Sequence, residues 1–209
     1  MRGKTAFFPV LLWLMIWAAI ASAASSKAID ESNEYGGITE ERTFSAGDAA
    51  FDVDGIQKLV SYYDGNGNVR VRETHFTEAS SGKDGVEKLV RRFSDRGSPA
   101  SDEYDFRDDS RIAKGVARLV RHYGEDGRKT HEEYFYTDTS SRKDNVFRMV
   151  RYFDAKGKKI RDELHSTGTY AAMTGFSKLV RAYDGDENPA GVQVYDRDGK
   201  IVEEEPKSR

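Results

Sequence analysis

A period of 30 residues runs through the chain without an insertion, from Gly55 through Gly85, Gly115 and Asn145 to Gly175. Leu59, Leu89, Leu119, Met149 and Leu179 keep it, as do Val60, Val90, Val120, Val150 and Val180. Basic residues keep it at Lys58, Lys88, Arg118, Arg148 and Lys178, and aromatics at Tyr63, Phe93, Tyr123, Phe153 and Tyr183. Glu73, Glu103, Glu133 and Glu163 hold a further position, with Gln193 in the fifth copy. A fixed period of this length marks a repeat architecture, in which one small unit stacks on copies of itself.

Each unit reads G-V-x-K-L-V-R-x-Y-D-x-x-G, followed by a polar and aromatic stretch built around E-x-x-F/Y. The first half is rich in valine and aromatics, as strands are. D-x-x-G is a turn, with Asp64 and Asp154 in its first position and Gly67, Gly97, Gly127 and Gly157 as left-handed residues. It fits a type I turn with a glycine bulge. The second half alternates Asp102, Tyr104 and Phe106 with Glu103 and Asp105, as a second strand does. A further turn such as residues 79–83 returns the chain to the next copy. The expected fold class is therefore all-β: an antiparallel meander of about five hairpin repeats and roughly ten strands, an elongated twisted sheet. An open or closed barrel is the alternative, and no helix is expected.

Two registers are open. A turn symmetric about residues 65 and 66 sets Lys58 opposite Glu73, and likewise Lys88–Glu103, Arg118–Glu133 and Arg148–Glu163. A bulge at Gly67 slips the pairing by one, sets Glu73 opposite Leu59 and brings Arg91 and its equivalents onto that face. Either way the charges form a structural ladder worth roughly 0.2–1 kcal/mol per cross-strand pair.

The ends differ from the array. Arg2 and Lys4 precede an apolar run from Phe7 to Ala21 that closes on Ala21-Ser22-Ala23. That is the layout of a signal peptide cut after Ala23. The run is about 15 residues, short of the roughly 20 that span a bilayer. The expected division is 1–23 signal peptide, 24–36 flexible leader, 37–205 repeat domain and 206–209 tail. The repeats fall near 55–84, 85–114, 115–144, 145–174 and 175–205. Glu41-Arg42-Thr43-Phe44 resembles Glu73-Thr74-His75-Phe76, which suggests a half-repeat before Gly55. Pro189 and Pro206 discourage strand addition at the far end. An exported protein, periplasmic or extracellular and without a membrane span after cleavage, is the expectation.

Composition narrows the function classes. The first 23 residues hold two of the 33 basic residues and none of the 36 acidic ones, so the remainder carries a net charge of −5. A nucleic-acid binder needs a basic footprint, so none is expected. Cysteine is absent, which removes thiol chemistry and Cys-ligated metal. His75, His122, His131 and His165 read as solvated strand positions. Asp64 to Asn68 and Asp184 to Asn188 carry oxygen donors at alternate positions but read as turns, lacking the glycine and glutamate of a calcium loop. No metal and no cofactor are expected.

Two columns could carry chemistry. Glu73, Glu103, Glu133 and Glu163 could in principle supply the two acids of a glycan-directed hydrolase. A repeat gives each the same surroundings, however, and such catalysis needs two acids in different ones. No catalytic residue is assigned. Arg91, Arg121, Arg151 and Arg181 form a basic column that, with Tyr104 and Tyr134, suits anionic glycans or peptide carboxylates through forked hydrogen bonds and stacking. The expected function is a non-catalytic binding or structural module presenting an extended β surface to a polysaccharide, a peptide, a protein or another copy of itself. The hydrolase and an exported inhibitor or immunity-type protein are the alternatives.

Tyr195-Asp196-Arg197-Asp198-Gly199-Lys200, and nearly so Phe153-Asp154-Ala155-Lys156-Gly157-Lys158, carry a Y-D-x-x-G-K/R turn. In this the unit resembles the YD repeats of RHS-type proteins and the MORN-like repeats of bacterial antitoxin-like proteins. The unit here is longer, and it lacks the G-x-x-x-G strand start of MORN repeats. The resemblance implies a hairpin architecture and assigns no activity.

Overall fold

A computed structural model describes residues 25–29, 32–80 and 85–206. The expected signal peptide lies outside the described residues. Thirteen strands form one antiparallel sheet in strict sequence order. They are β1 (Ser25–Ile29), β2 (Gly36–Thr43), β3 (Ile56–Asp64), β4 (Val69–Phe76), β5 (Val86–Phe93), β6 (Pro99–Phe106), β7 (Val116–Tyr123), β8 (Lys129–Tyr136), β9 (Val146–Phe153), β10 (Lys159–Ser166), β11 (Phe176–Tyr183), β12 (Pro189–Asp196) and β13 (Ile201–Pro206). The sheet does not close: β1 pairs with β2 alone and β13 with β12 alone. The all-β meander expected from the repeat is the observed fold, and the barrel alternative is not.

Three features depart from expectation. The count exceeds ten because further strands cap both ends, the hairpin β1–β2 on one side and the single strand β13 on the other. The leader expected over 24–36 instead contributes β1, registered so that Lys27 stands opposite Glu41. The returns between repeats are short helices rather than turns: α1 (Ala49–Asp52), α2 (Asp108–Lys114), α3 (Asp138–Asp144) and α4 (Gly168–Thr174), with residues 78–80 helical at the corresponding place. Thr137 and Thr167 cap α3 and α4, their hydroxyls accepting from the N–H of Ser140 and Tyr170.

The period glycine now has a cause. Gly115, Asn145 and Gly175 end α2, α3 and α4 in the left-handed conformation, at φ 67°, 58° and 81°. Asparagine replaces glycine once because it tolerates that region better than other side chains. The carbonyls of Gly55, Gly85, Gly115 and Asn145 also reach the next junction: Gly85 accepts from Arg107 N–H at 2.8 Å, and Gly115 from Thr137 N–H at 3.0 Å. A Cβ on Gly85 would overlap the Ser110 side chain, and one on Gly115 would overlap Ser140. Glycine here serves both backbone freedom and close stacking of successive junctions.

The register differs from both expectations. Near the turn the glycine bulge is as expected: Gly67 N–H donates to Asp64 O at 2.9 Å, and Tyr63 stands opposite Val69. One residue further, the partner of Tyr62 is Val71, so Arg70 forms a second bulge. The same shift recurs at Ala100, Thr130, Ile160 and Ala190. Glu73 therefore lies opposite Val60, and neither Lys58 nor Leu59 faces it. Arg91 lies on the face opposite Glu103, because it neighbours Val90, the cross-strand partner of Glu103.

The sheet is thus a single layer with two chemically distinct faces. On the valine face a row crosses the strands as Glu41, Val60, Glu73, Val90, Glu103, Val120, Glu133, Val150, Glu163, Val180. Val60, Val90, Val150 and Val180 are buried although, among the described residues, no second layer covers them. Long neighbours such as Lys58, Tyr62 and Glu73 surround Val60, and their apolar stems shield it.

Two alanine substitutions separate the two roles of glycine. Gly127→Ala, at φ 75° with open space around its Cβ, should cost only the left-handed strain, about 1–2 kcal/mol. Gly85→Ala, at φ 72° and against Ser110, should cost clearly more. Urea denaturation of the two variants measures the difference, and equal losses would contradict the stacking role.

Candidate functional site

The arginine face carries the expected binding column. Its central row, strand by strand from β2, is Glu40, Ser61, Arg72, Arg91, Asp102, Arg121, Glu132, Arg151, Asp162, Arg181, Val192. A parallel row holds Leu59, Thr74, Leu89, Tyr104, Leu119, Tyr134, Met149, Leu164 and Leu179. The structure brings Arg91, Arg121, Arg151, Arg181, Tyr104 and Tyr134 onto one face, and interleaves the arginines with acids.

Those acids are buried. Asp102 is 1% exposed, Glu132 4% and Asp162 4%, which forces each charge to find a partner. Arg91 forks onto Asp102, Nε to Oδ1 at 2.6 Å and Nη2 to Oδ2 at 2.7 Å. Arg151 Nε donates to Asp162 at 2.9 Å, and Arg121 Nε to Glu132 at 3.0 Å. The aromatics complete the shells. Tyr123 OH donates to Asp102 at 2.9 Å, Tyr183 OH to Asp162 at 2.8 Å, and Tyr63 OH to Glu40 at 2.8 Å. Where this position is phenylalanine the hydroxyl is missing and the partner changes. Phe93 sits beneath the Arg72 guanidinium, and Phe153 beneath the Lys129 ammonium, at 5.8 and 3.9 Å to the ring centres. Glu132 then takes its hydroxyl from Tyr134 at 2.9 Å, with Lys129 also at 2.9 Å.

Protonation follows this geometry. The hydrogen bond that Arg91 donates to Asp102 leads the causes that hold Arg91 more firmly charged than a free arginine. Burial pushes the Tyr134 hydroxyl up to about 12, helped by the Glu132 charge, and raises Tyr123 for the same reason beside Asp102. Burial alone would raise Glu132, but Lys129, Tyr134 and Arg121 outweigh it and hold the carboxyl below its usual range. The side chains of Arg91, Arg121 and Arg151 remain 30–38% exposed in their ion pairs. Arg181 is the exposed end of the column, with Val192 rather than an acid on its far side.

The ladder expected within each unit is rearranged by the second bulge. Arg118 pairs with Glu103 at 2.9 Å and Arg148 with Glu133 at 2.6 Å, each reaching back to the preceding unit. Lys58 pairs with Glu41 at 2.9 Å, and Lys88 with Asp105 at 3.4 Å. Glu73 and Glu163 lie beside His75 and His165, at 3.4 and 3.6 Å. Glu103 accepts from both Arg92 and Arg118, which overcome the effect of burial and keep it ionised. That is the opposite of what a general acid needs. A cleft of about 220 Å³ on this face is lined by Tyr35, Tyr62, Glu73, Lys88, Arg92 and Glu103.

The interleaved acids Asp102, Glu132 and Asp162 escaped the sequence reading, although they too recur every 30 residues. The histidines are half-buried rather than solvated. His122, His131 and Glu133 form a group with metal-ligand donors on the valine face. Among the described residues no helix is long and apolar enough to cross a membrane. No family model matches the chain, and no curated protein is similar to it.

Asp102→Asn should destabilise strongly, by about 2–4 kcal/mol, because it leaves Arg91 and Tyr123 around a neutral group that returns less. Arg181→Ala should stay within about 0.5 kcal/mol. Chemical denaturation at neutral pH measures both, and equal effects would contradict the buried-acid account.

Proposed function

We propose that the protein is an exported, non-catalytic repeat protein that presents its extended sheet to a long, repetitive partner, with a glycan or peptide strand as the best match. The carrying observation is the alternation of Arg91, Arg121 and Arg151 with Asp102, Glu132 and Asp162 in one row from β5 to β10 on the arginine face. Arg91, Arg121 and Arg151 stand two strands apart, about 9–10 Å, a step comparable with one disaccharide of an extended chain. Their guanidiniums are held in place by buried acids, so little side-chain entropy is lost on binding. Tyr104 and Tyr134 lie in the adjoining row.

Ion pairing within the row shapes the choice of partner. Each acid offsets an arginine, so the face is not a strongly cationic strip, and the remainder of the chain carries a net charge of −5. Hydrogen bonding and stacking along a repeating polymer fit such a face better than bulk charge attraction. Arg2, Lys4, the apolar run and Ala21-Ser22-Ala23 support export.

Removing residues 115–144, one whole period, joins like to like and tests this reading. In a repeat array each unit contacts only its neighbours, so the shortened chain should fold. Its affinity for peptidoglycan or another extended glycan, measured beside the full array, should fall. Equal affinity would contradict an extended binding surface.

A further inference from the structure

His122 and His131 face each other across the β7–β8 hairpin, on the valine face. Their rings stack with centroids 4.1 Å apart and planes 8° from parallel. Glu133 lies on the same face of β8, two residues beyond His131. Its Oε1 is 3.1 Å from His122 Nε2 and 3.9 Å from His131 Nε2. The three donor atoms lie within 4.8 Å of one another.

The repeat itself marks these positions as unusual. Other hairpins place Tyr62 with Val71, Arg92 with Ser101, Tyr152 with Arg161 and Ala182 with Gly191 at the same two points. Only the β7–β8 hairpin, among these five, carries two imidazoles there. The architecture is therefore satisfied without them, and a structural role common to the repeats does not account for the pair.

The surroundings orient the donors. Thr130 Oγ1 lies 3.1 Å from His131 Nδ1 and can accept its proton, which leaves the Nε2 lone pair directed at Glu133. Arg148 Nη2 holds Glu133 Oε2 at 2.6 Å, so the other oxygen is the one turned to the imidazoles. Tyr152 stacks on His131 at 5.6 Å and walls the far side.

We propose that His122, His131 and Glu133 bind a divalent transition-metal ion of the Zn²⁺ or Cu²⁺ type. Two imidazole nitrogens and one carboxylate oxygen are the donor set of such ions, whereas Mg²⁺ and Ca²⁺ require all-oxygen shells. Three protein ligands leave a coordination position for water or a partner's ligand. Donor atoms around zinc sit about 3.3 Å apart, given bonds of about 2.0–2.1 Å, so side-chain rotation alone would close the set. Metal entry requires His122 to exchange its Nε2–H, now directed at Glu133, for an Nδ1–H through solvent, which frees the Nε2 lone pair for the ion.

Calorimetric titration of the untagged full-length chain with ZnSO₄, and separately with CuCl₂, tests the site, with MgCl₂ and CaCl₂ as comparisons. Saturable, chelator-reversible uptake of one Zn²⁺ or Cu²⁺ per chain is expected, with no comparable uptake of Mg²⁺ or Ca²⁺. His122→Tyr and His131→Val install residues that Tyr62 and Val71 already place in this fold, so circular dichroism should show them folded. Each should weaken binding at least about tenfold, Thr130→Val should weaken it about 10–100-fold by freeing the His131 ring, and His75→Ala should leave it unchanged. No saturable uptake, or uptake undiminished in the doubly substituted chain, would overturn the proposal, and equal uptake of Ca²⁺ would overturn the assigned metal class.

Discussion

A second bulge, at Arg70, Ala100, Thr130, Ile160 and Ala190, sets which side chains meet in every hairpin. Side chains alternate between faces, so each one-residue shift exchanges partners wholesale. The observed shift places Val90 opposite Glu103 and Arg91 opposite Asp102. One column of acids is thereby diluted among valines on one face, and another is locked between arginines on the other. The arginine row, the tyrosine row and the histidine pair are all consequences of that register.

A single layer cannot rely on a thick core. Each buried valine contributes roughly 1.5–3 kcal/mol, but the long polar side chains that shield it are themselves part of the sheet surface. Strand-to-strand cohesion therefore rests heavily on charged pairs that are partly out of water. Asp102, Glu132 and Asp162 are the critical members, because a buried carboxylate is costly alone and favourable only with its donors in place. Each interaction links adjacent strands, so stability accumulates along the array rather than through a central core. At the far end the acidic β13, with Glu203, Glu204 and Glu205 exposed, limits further strand addition.

Most of the architecture was legible in the sequence, because a 30-residue period leaves few options for a chain this rich in valine and aromatics. The D-x-x-G turn and its glycine bulge were equally legible. The junction helices were not: α2, α3 and α4 span seven residues each, too short for an apolar stripe, and α2 and α3 are mostly polar. The register was hidden for a different reason. Arg70, Ala100, Thr130, Ile160 and Ala190 span four residue types with no common chemistry, so nothing at the bulge signals it. With the register two residues away from a symmetric turn, the expected Lys58–Glu73 ladder dissolved, and Asp102, Glu132 and Asp162 emerged as partners of the arginine column. The histidine cluster was visible only as a break in the period at 122 and 131.

The central claim is that interleaved, buried ion pairs on the arginine face bind strand to strand. A double-mutant cycle on Arg91→Met and Asp102→Leu tests it most directly, because this pair is bidentate and Asp102 is 1% exposed. The account predicts a favourable coupling energy of about 1.5–3 kcal/mol, the double variant losing far less than the two single losses together. Additive losses, with coupling near zero, would contradict it and would return the stability of the sheet to its valine row.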